Sequence, residues 1–330
     1  MSKIITFDIE HADTSYINKI KILNSEFSST SRSRSRDVCE LIGQQAEGLR
    51  RLGRLKESIH LFLKTLHLSR QLGIRSGECW SLWGIASAFR SKGWNAHSRK
   101  IFSAAVDSSR RANDYRCYLW SVAEQSELDR IEGQLSKALP AHRLLYTEFL
   151  RIGDIRGVCW ALSGAAQILK LQGFLQEASV EFRRAYEISS LANDTISAAW
   201  ALRGQAEVAR ELGDSAIAIK LATEAEQAFR DIGYELGAAY AMKTRAKCLI
   251  FDDEVKEALT LALECHEKFQ YCSEARGVAF SKFTLGLAYM RLGERAISHS
   301  LFRQSQYTLS VLGIREPRGF SPTQVLQRFE

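Results

Sequence analysis

Several features that mark membrane, secreted and fibrous proteins are missing from this sequence. Only three of its 330 residues are proline, so long helices can continue without the lost backbone donor and ring clash that proline causes. No apolar run approaches the ~20 residues that a membrane-spanning helix needs. The first residues, MSKIITFDIE, lack the apolar core of a signal peptide. These absences predict a cytoplasmic protein without a membrane partner.

The cysteines follow no disulfide or metal-binding pattern. There are seven, an odd number, and Cys39, Cys79 and Cys159 share one position of the repeat described below, where later copies have alanine. They therefore resemble small core residues. Cys265-His266 is the one adjacent Cys/His pair, and no second pair follows at the spacing of a zinc site. We predict no metal and no cofactor.

Catalytic motifs are also missing. The chain has no Gly-rich phosphate loop, no His-Glu-x-x-His and no Cys-x-x-Cys. Glu127 and Glu207 occupy the same repeat position 80 residues apart, so they belong to units that are not adjacent. That placement does not suit the paired carboxylates of a hydrolase. The sequence predicts a protein that is not an enzyme.

What the sequence does contain is a repeat of 40 residues without insertions. The turn residues are Gly53, Gly93, Gly133, Gly173, Gly213, Asp253 and Gly293. Seven positions before them stand Ala46, Ala86, Ser126, Ala166, Ala206, Ala246 and Gly286. Five positions after them stand Ser58, Ser98, Ala138, Ala178, Ala218, Ala258 and Ser298. Because small residues let two helices approach closely, each unit is predicted to be a helical hairpin.

Two further positions complete the hairpin. Nine residues after the turn stand Phe62, Phe102, His142, Phe182, Ala222, Ala262 and Phe302, which are mostly large and apolar. Twenty residues after the turn stand Gly73, Asn113, Gly153, Asn193, Gly233, Ser273 and Gly313. Glycine and asparagine accept the left-handed conformation that ends many helices, so the second helix is predicted to stop there.

This set of positions resembles the tetratricopeptide repeat (TPR), and the 40-residue form is similar to that of kinesin light chains and of bacterial peptide- and ligand-responsive regulators. The resemblance covers about residues 37–316. It implies an all-α fold, a right-handed superhelical solenoid of about seven repeats. The family's proline after the second helix is absent here. A fold of this kind says little about the partner.

The ends and the third repeat depart from the pattern. Residues 1–36 are predicted to form an N-terminal capping helix and a loop containing the Ser/Arg run SRSRSR, and residues 317–330 a C-terminal capping helix. The third repeat has Asp129 at an apolar position and Pro140 inside its second helix. Either the repeat tolerates these residues as a defect, or they mark a local bend or a contact site.

The resemblance implies that the first helices of the hairpins line a concave groove. Positions 13, 10, 6 and 3 residues before the turn share one helix stripe. The aromatic members are Trp80, Trp83, Trp120, Trp160, Trp200 and Tyr240. The charged and polar members are Arg90, Glu127, Arg130, Gln167, Lys170, Arg203, Glu207, Arg210 and Lys243.

Two interpretations of this stripe compete. The aromatic residues can be the packing edge between hairpins, with ordinary ion pairs beside them, or the stripe can hold a guest through aromatic area and cationic groups. Repeated arginine is not needed for packing, which favours a binding groove. We then expect Arg90, Arg130, Lys170 and Arg210 to be largely without carboxylate partners inside the protein, and Lys243 to lie on an open face.

The predicted function is a non-catalytic scaffold or adaptor that binds a protein or peptide with an acidic or carboxylate-bearing segment. One alternative is a small-molecule-binding or catalytic accessory protein, which would show a polar cavity and a strongly shifted Glu127, Glu207 or histidine. A second is RNA or single-strand binding, because the net charge is +7 and tryptophan beside arginine can stack bases. The oligomeric state stays undetermined by the sequence.

Overall fold

The structure is a computed structural model that describes residues 32–314, with side chains from Arg36 onward. Within that range every regular element is an α-helix, and 14 helices follow one another. They form two compact units that divide between Gln125 and Ser126, inside the fifth helix. The segments 1–31 and 315–330, which include most of the predicted capping regions, lie outside the described residues.

Odd-numbered helices are the first helices of the hairpins, and even-numbered helices are the second. Unit 1 contains α1 (Arg32–Arg51), α2 (Leu55–Leu72), α3 (Arg75–Ser91), α4 (Asn95–Ala112) and the first part of α5 (Tyr115–Ile131). Unit 2 contains the rest of α5, then α6 (Leu135–Arg151), α7 (Ile155–Gln172), α8 (Leu175–Leu191), α9 (Thr195–Leu212), α10 (Ser215–Asp231), α11 (Glu235–Phe251), α12 (Val255–Tyr271), α13 (Ala275–Arg291) and α14 (Arg295–Val311).

The chain reverses after each described helix at one residue with a left-handed backbone. Within the hairpins these residues are the seven predicted turn residues, with φ from 68° at Asp253 to 94° at Gly213. After the second helix of each hairpin they are the seven predicted C-caps, with φ from 52° at Ser273 to 72° at Gly153. Glycine lacks the Cβ that penalises this conformation. The predicted spacing of turns and C-caps is therefore confirmed.

The small residues lie where the two helices of a hairpin cross. The Ser58 hydroxyl donates to the carbonyl oxygen of Ala46 at 2.7 Å, and Ser98 donates to the carbonyl of Ala86 at 2.8 Å. Both serines are fully buried. A larger side chain at these points would force the helices apart, so the predicted helical hairpin is confirmed.

A second contact packs each hairpin on the next. The Phe62 ring lies against Gly84, where a Cβ would come within 2.3 Å of it. His142 takes the same position against Gly164, with 2.1 Å from an added Cβ to the ring. Helix α6 continues through Pro140. The irregular third repeat thus forms both helices, with histidine in place of the usual phenylalanine.

Two further observations concern where the first helix begins and how long and apolar the helices are. Helix α1 begins at Arg32, so the prediction of a loop for the Ser/Arg run was wrong from that residue onward. Serine and arginine carry no strong helix penalty, so the first helix of the first hairpin includes residues 32–36 of the run. None of the helices that the structure describes is long and apolar enough to cross a bilayer.

Candidate functional site

First helices lie closer to one another than second helices do. In unit 2, α7 contacts α9, α9 contacts α11, and α11 contacts α13. No pair of second helices makes contacts of similar extent within residues 32–314. Helices stacked in this way curve toward their first-helix side. We call the surface formed by α7, α9, α11 and α13 the inner face of unit 2.

We call the aromatic residues of the stripe the aromatic ladder. In unit 1 this ladder packs the hairpins together. Trp80 and Trp120 are each only 6% exposed. Trp83 lies between them, edge-on to both, with ring centroids 5.7 Å from Trp80 and 6.4 Å from Trp120. The Trp80 indole also donates to Asp114 at 3.0 Å. These contacts give the three tryptophans a packing role.

The ladder of unit 2 packs in the same way but is less covered. Trp160 stacks on His142 at 4.8 Å between ring centroids, and Trp200 meets Phe229 edge-on at 5.0 Å. Both tryptophans remain half-buried. Tyr240 is buried, and its hydroxyl is 2.9 Å from Glu274. Trp160 and Trp200 therefore combine packing with surface that a guest can reach.

The expectation that the basic residues of the stripe lack carboxylate partners was wrong. The pairs are Arg90 with Glu124 at 2.9 Å, Arg130 with Glu127 at 2.6 Å, Lys170 with Glu207, and Arg210 with Glu211 at 3.1 Å. The side chains of the four basic residues are at most 17% exposed. A charge this far from water is costly without an opposite charge, which is why carboxylates accompany the basic residues.

One carboxylate of unit 2 serves several cations. Glu207 accepts from the Lys170 ammonium and from Arg203 Nη1, the latter at 2.6 Å. Lys243 Nζ lies 3.9 Å from the same carboxylate. Gln167 donates to it at 3.3 Å. We call Lys170, Arg203, Glu207 and Lys243 the Glu207 cluster.

Lys243 was expected on an open face, and that expectation was also wrong. The residue is 6% exposed, and its ammonium lies 5.5 Å from the Tyr240 ring and 5.3 Å from the Phe280 ring. Arg203 lies over Trp200 at 5.0 Å. The rings attract these cations and shield them from water. The aromatic ladder and the cationic stripe of unit 2 therefore form one structure.

The cluster shifts the protonation of its members. Burial alone would raise the pKa of Glu207, but Arg203, Lys170 and Lys243 together hold it well below its usual range. Burial lowers the pKa of Lys243 to about 8, Glu207 opposes that change, and Arg203 and Lys170 add to it. Glu207 thus stays ionised, as an ion-pair partner does, whereas a general acid needs a raised pKa.

Two residues that the sequence reasoning missed belong to this face. Burial lowers the pKa of Lys247 well below its usual range, and the charges of Lys243 and Arg210 lower it further. Lys247 occupies the repeat position of Glu127 and Glu207. The change from an acidic to a basic residue at this position could have identified Lys247 from the sequence.

The other missed residue, Arg276 on α13, links distant hairpins of unit 2. Its Nη1 lies 3.4 Å from Glu127 on α5, a separation of 149 residues. Its Nε donates to the Tyr240 hydroxyl at 3.4 Å. No repeat pattern could indicate this contact, because it joins the third and seventh hairpins.

The potential chemistry outside this face is limited. All seven cysteines are free and buried, and no group of three or more His, Cys, Asp or Glu residues in the described part is arranged to hold a metal ion. Burial lowers the pKa of His142 to about 4, and its ring stacks on Trp160. His142 is thus a neutral packing residue at pH 7.

Comparisons with known proteins identify the fold. No family model matches the sequence, and no curated protein matches it. Among solved structures, the Rap conjugation gene regulator of the plasmid pLS20 in complex with the Phr* peptide is 15% identical, with a TM-score of 0.66 over 91% of this chain and 86% of that one. A Rap protein complexed with Competence and Sporulation Factor is 10% identical, with a TM-score of 0.62 over 93% of this chain and 88% of that one. With its seven helical hairpins in phase, the chain has a TPR-like repeat fold.

Proposed function

We propose that this protein is a non-catalytic scaffold or adaptor that binds a protein or peptide segment on the inner face of unit 2. The observation that carries the proposal is the joint presence of accessible tryptophan surface, at Trp160 and Trp200, and of cations on the same helices. Aromatic and arginine side chains are enriched among the residues that dominate protein interfaces. In this proposal Trp80, Trp83, Arg90 and Trp120 of unit 1 pack the hairpins.

Two solved structures of similar fold contain a bound guest. Both Rap structures are complexes, one with the Phr* peptide and one with Competence and Sporulation Factor. At 15% and 10% identity they establish the fold alone. The proposal therefore depends on this chain's own residues for the kind of segment that it accepts.

Charge determines the segment that we propose, which is acidic or carries a free carboxylate. Arg203 and Lys243 share Glu207 with Lys170, so the Glu207 cluster on this face has more positive than negative groups. Arginine binds carboxylates through paired hydrogen bonds. A basic segment would meet like charge and lose affinity. The buried, free cysteines favour a reducing compartment such as the cytoplasm.

The experiment measures fluorescence anisotropy of short labelled peptides that are acidic, neutral or basic. We expect the acidic set to bind best. Arg210→Gln should weaken that binding about tenfold or more, equivalent to about 1.4 kcal/mol. Arg210 suits the test because its partner Glu211 is 30% exposed, so the substitution leaves no buried unpaired charge.

Arg184→Gln is the matched control. Arg184 lies on the second helix α8, is 43% exposed and is likewise paired with a glutamate, Glu181. The Arg184→Gln protein should bind the acidic peptides as the wild type does. Equal binding by both variants and the wild type would contradict the inner face as the site. Binding of labelled single-stranded RNA with a steep salt dependence, without any peptide binding, would favour the nucleic-acid alternative.

A further inference from the structure

The Glu207 cluster contains more positive charge than its own carboxylate can neutralise. Lys170, Arg203 and Lys243 contribute three cations to one carboxylate. Among the residues that the structure describes, no other carboxylate lies within ion-pair distance of these three side chains. The cluster therefore has a formal excess of two positive charges on helices α7, α9 and α11.

The same region also lacks hydrogen-bond acceptors. The Nε–H groups of Arg203 and Arg210 are buried and have no partner in the described part of the chain. Buried donors without acceptors are rare and call for an explanation. Arg203, Glu207 and Arg210 follow one face of α9 at helical spacing, so both donors border the cluster. A ligand with several acceptor oxygens would supply what is missing.

Aromatic side chains hold the cations in place. Lys243 lies between the rings of Tyr240 and Phe280, and Arg203 lies over Trp200. Lys247 lies 5.4 Å from the Phe283 ring. Poorly solvated charges interact more strongly with a ligand than charges in water do. Burial is the main cause of the lowered pKa values of Lys243 and Lys247, and the neighbouring cations lower them further.

We propose that the Glu207 cluster is a binding site for a phosphate monoester dianion. A phosphate monoester carries about −1.5 to −2 charges at neutral pH and has three strong acceptor oxygens. It matches the excess of two charges, whereas a single carboxylate would leave one charge unbalanced. The site rests on the proposed function only in that it lies on the same inner face.

The same chemistry occurs on a phosphorylated side chain of a bound segment and on a free phosphorylated small molecule. The probes are therefore inorganic phosphate, a phosphoserine peptide with its unphosphorylated form, glucose 6-phosphate, and acetate as a monoanion. Calorimetry at pH 7 and constant ionic strength measures each dissociation constant. We expect phosphate to bind at least tenfold more tightly than acetate. Preference for the phosphopeptide or for the sugar phosphate then identifies the source.

Two substitutions should change phosphate binding in opposite directions. Lys243→Met removes one cation with little change of volume, and it should weaken binding at least tenfold. Glu207→Gln removes the competing carboxylate, and it should strengthen binding at least tenfold. A cluster with a structural role alone would show neither change. Lys256→Met, at an exposed position of α12, makes the same charge change and should leave binding unaltered.

Folding of each variant is checked by circular dichroism. If Glu207→Gln does not fold, the Lys243→Met result and the thermal midpoint of the wild type in phosphate against chloride decide the matter. Phosphate binding no tighter than acetate binding, or unchanged in Lys243→Met, overturns the proposal. A protein that binds acidic peptides but not phosphate contradicts this site alone, and one that binds phosphate but no peptide contradicts the proposed function alone.

Discussion

The basic residues of the two units lie in similar sequence positions but in different electrostatic surroundings. In unit 1, Arg90 has its own buried carboxylate, Glu124, at 2.9 Å. In unit 2, three cations share Glu207. A matched pair stabilises the packing of two helices, whereas an unmatched group of cations is available for an anion from outside. The same residue types thus serve structure in one unit and, in our proposal, binding in the other.

Unit 1 offers the largest expected effect. Arg90→Met should lower the free energy of unfolding by about 3–5 kcal/mol, because it leaves the charge of Glu124 buried without a partner. Glu124 is 6% exposed, and Arg90 is its one ion-pair partner in the described part of the chain. Urea-induced unfolding measures the change.

The double variant Arg90→Met/Glu124→Leu serves as the control for this prediction. It should recover most of the lost stability, since a buried pair replaced by apolar residues is often tolerated. If the single and double variants are equally unstable, the pairing of Arg90 with Glu124 is not the cause, and the contrast between the units fails.

A second contrast concerns the packing position occupied by Phe62 and Phe102 in unit 1 and by His142 in unit 2. The pKa of His142 is lowered from 6.5 to about 4 by burial, so the unfolded chain takes up a proton before the folded protein does. Stability should therefore fall as the pH drops below about 6.5, and the loss of about 3 kcal/mol is complete below about pH 4.

His142→Phe should remove this part of the acid sensitivity, because phenylalanine does not titrate. Thermal midpoints of the two proteins at pH 7, 5.5 and 4.5 test the prediction. The difference between them should grow as the pH falls. A constant difference across this range would mean that His142 does not titrate in the expected way.

Phosphate affinity at the proposed site should change at alkaline pH, whereas the stability change due to His142 occurs at acidic pH. Lys243 faces Glu207 and Arg203 on α9, Lys170 on α7, Cys265 on α12 and Lys247 on its own helix. With a pKa of about 8, Lys243 is mostly charged at pH 7 and mostly neutral at pH 9. Phosphate affinity should fall about tenfold between these values, or about 1.4 kcal/mol.

Calorimetric titrations of phosphate at pH 7, 8 and 9 measure this dependence. The titrant is a phosphate monoester, the phosphoserine peptide or glucose 6-phosphate, which keeps its dianionic form throughout this range because its second pKa is about 6. The Lys243→Met protein is the control, and its remaining affinity should change less over the same range. An identical decline in both proteins would assign the dependence to another group.

The smallest expected effect is on stability at the Glu207 cluster. Lys243→Met should change the free energy of unfolding by less than about 1 kcal/mol at pH 7, because Glu207 keeps Lys170 and Arg203 as partners and the repulsion among the cations decreases. Urea-induced unfolding measures it beside Arg90→Met. A loss as large as that of Arg90→Met would mean that the cations of unit 2 are as closely matched as those of unit 1.

The fold was predictable from the sequence because its signals are local. Gly213, which has no side chain, and Asn193, whose side chain tolerates the left-handed region, both have a positive φ, and Ser58 meets Ala46 at a crossing within one hairpin. The Ser/Arg run was misassigned because serine or threonine, both favoured N-cap residues, stands at positions 28, 29, 30, 31, 33 and 35, so no single residue marks where α1 begins. Local composition leaves such a boundary open.

The site was predictable only in part. Repetition indicated which positions share the inner face, so Trp200, Arg203 and Glu207 were named together. It could not indicate that Arg90 would meet Glu124, because Glu124 belongs to the next hairpin and to a different register. A helix stripe gives the direction of a side chain, but the partner depends on which helix packs beside it.

The sequence by itself determined the hairpins, their turns and their helix crossings, because each depends on residues within about 40 positions of one another. The tertiary structure alone decided which charges are matched. Glu127 meets Arg276 across 149 residues, and Glu207 gathers cations from three helices. Coulomb interactions depend on distance in space and on exclusion of water, and neither quantity is encoded in the spacing of residues along the chain.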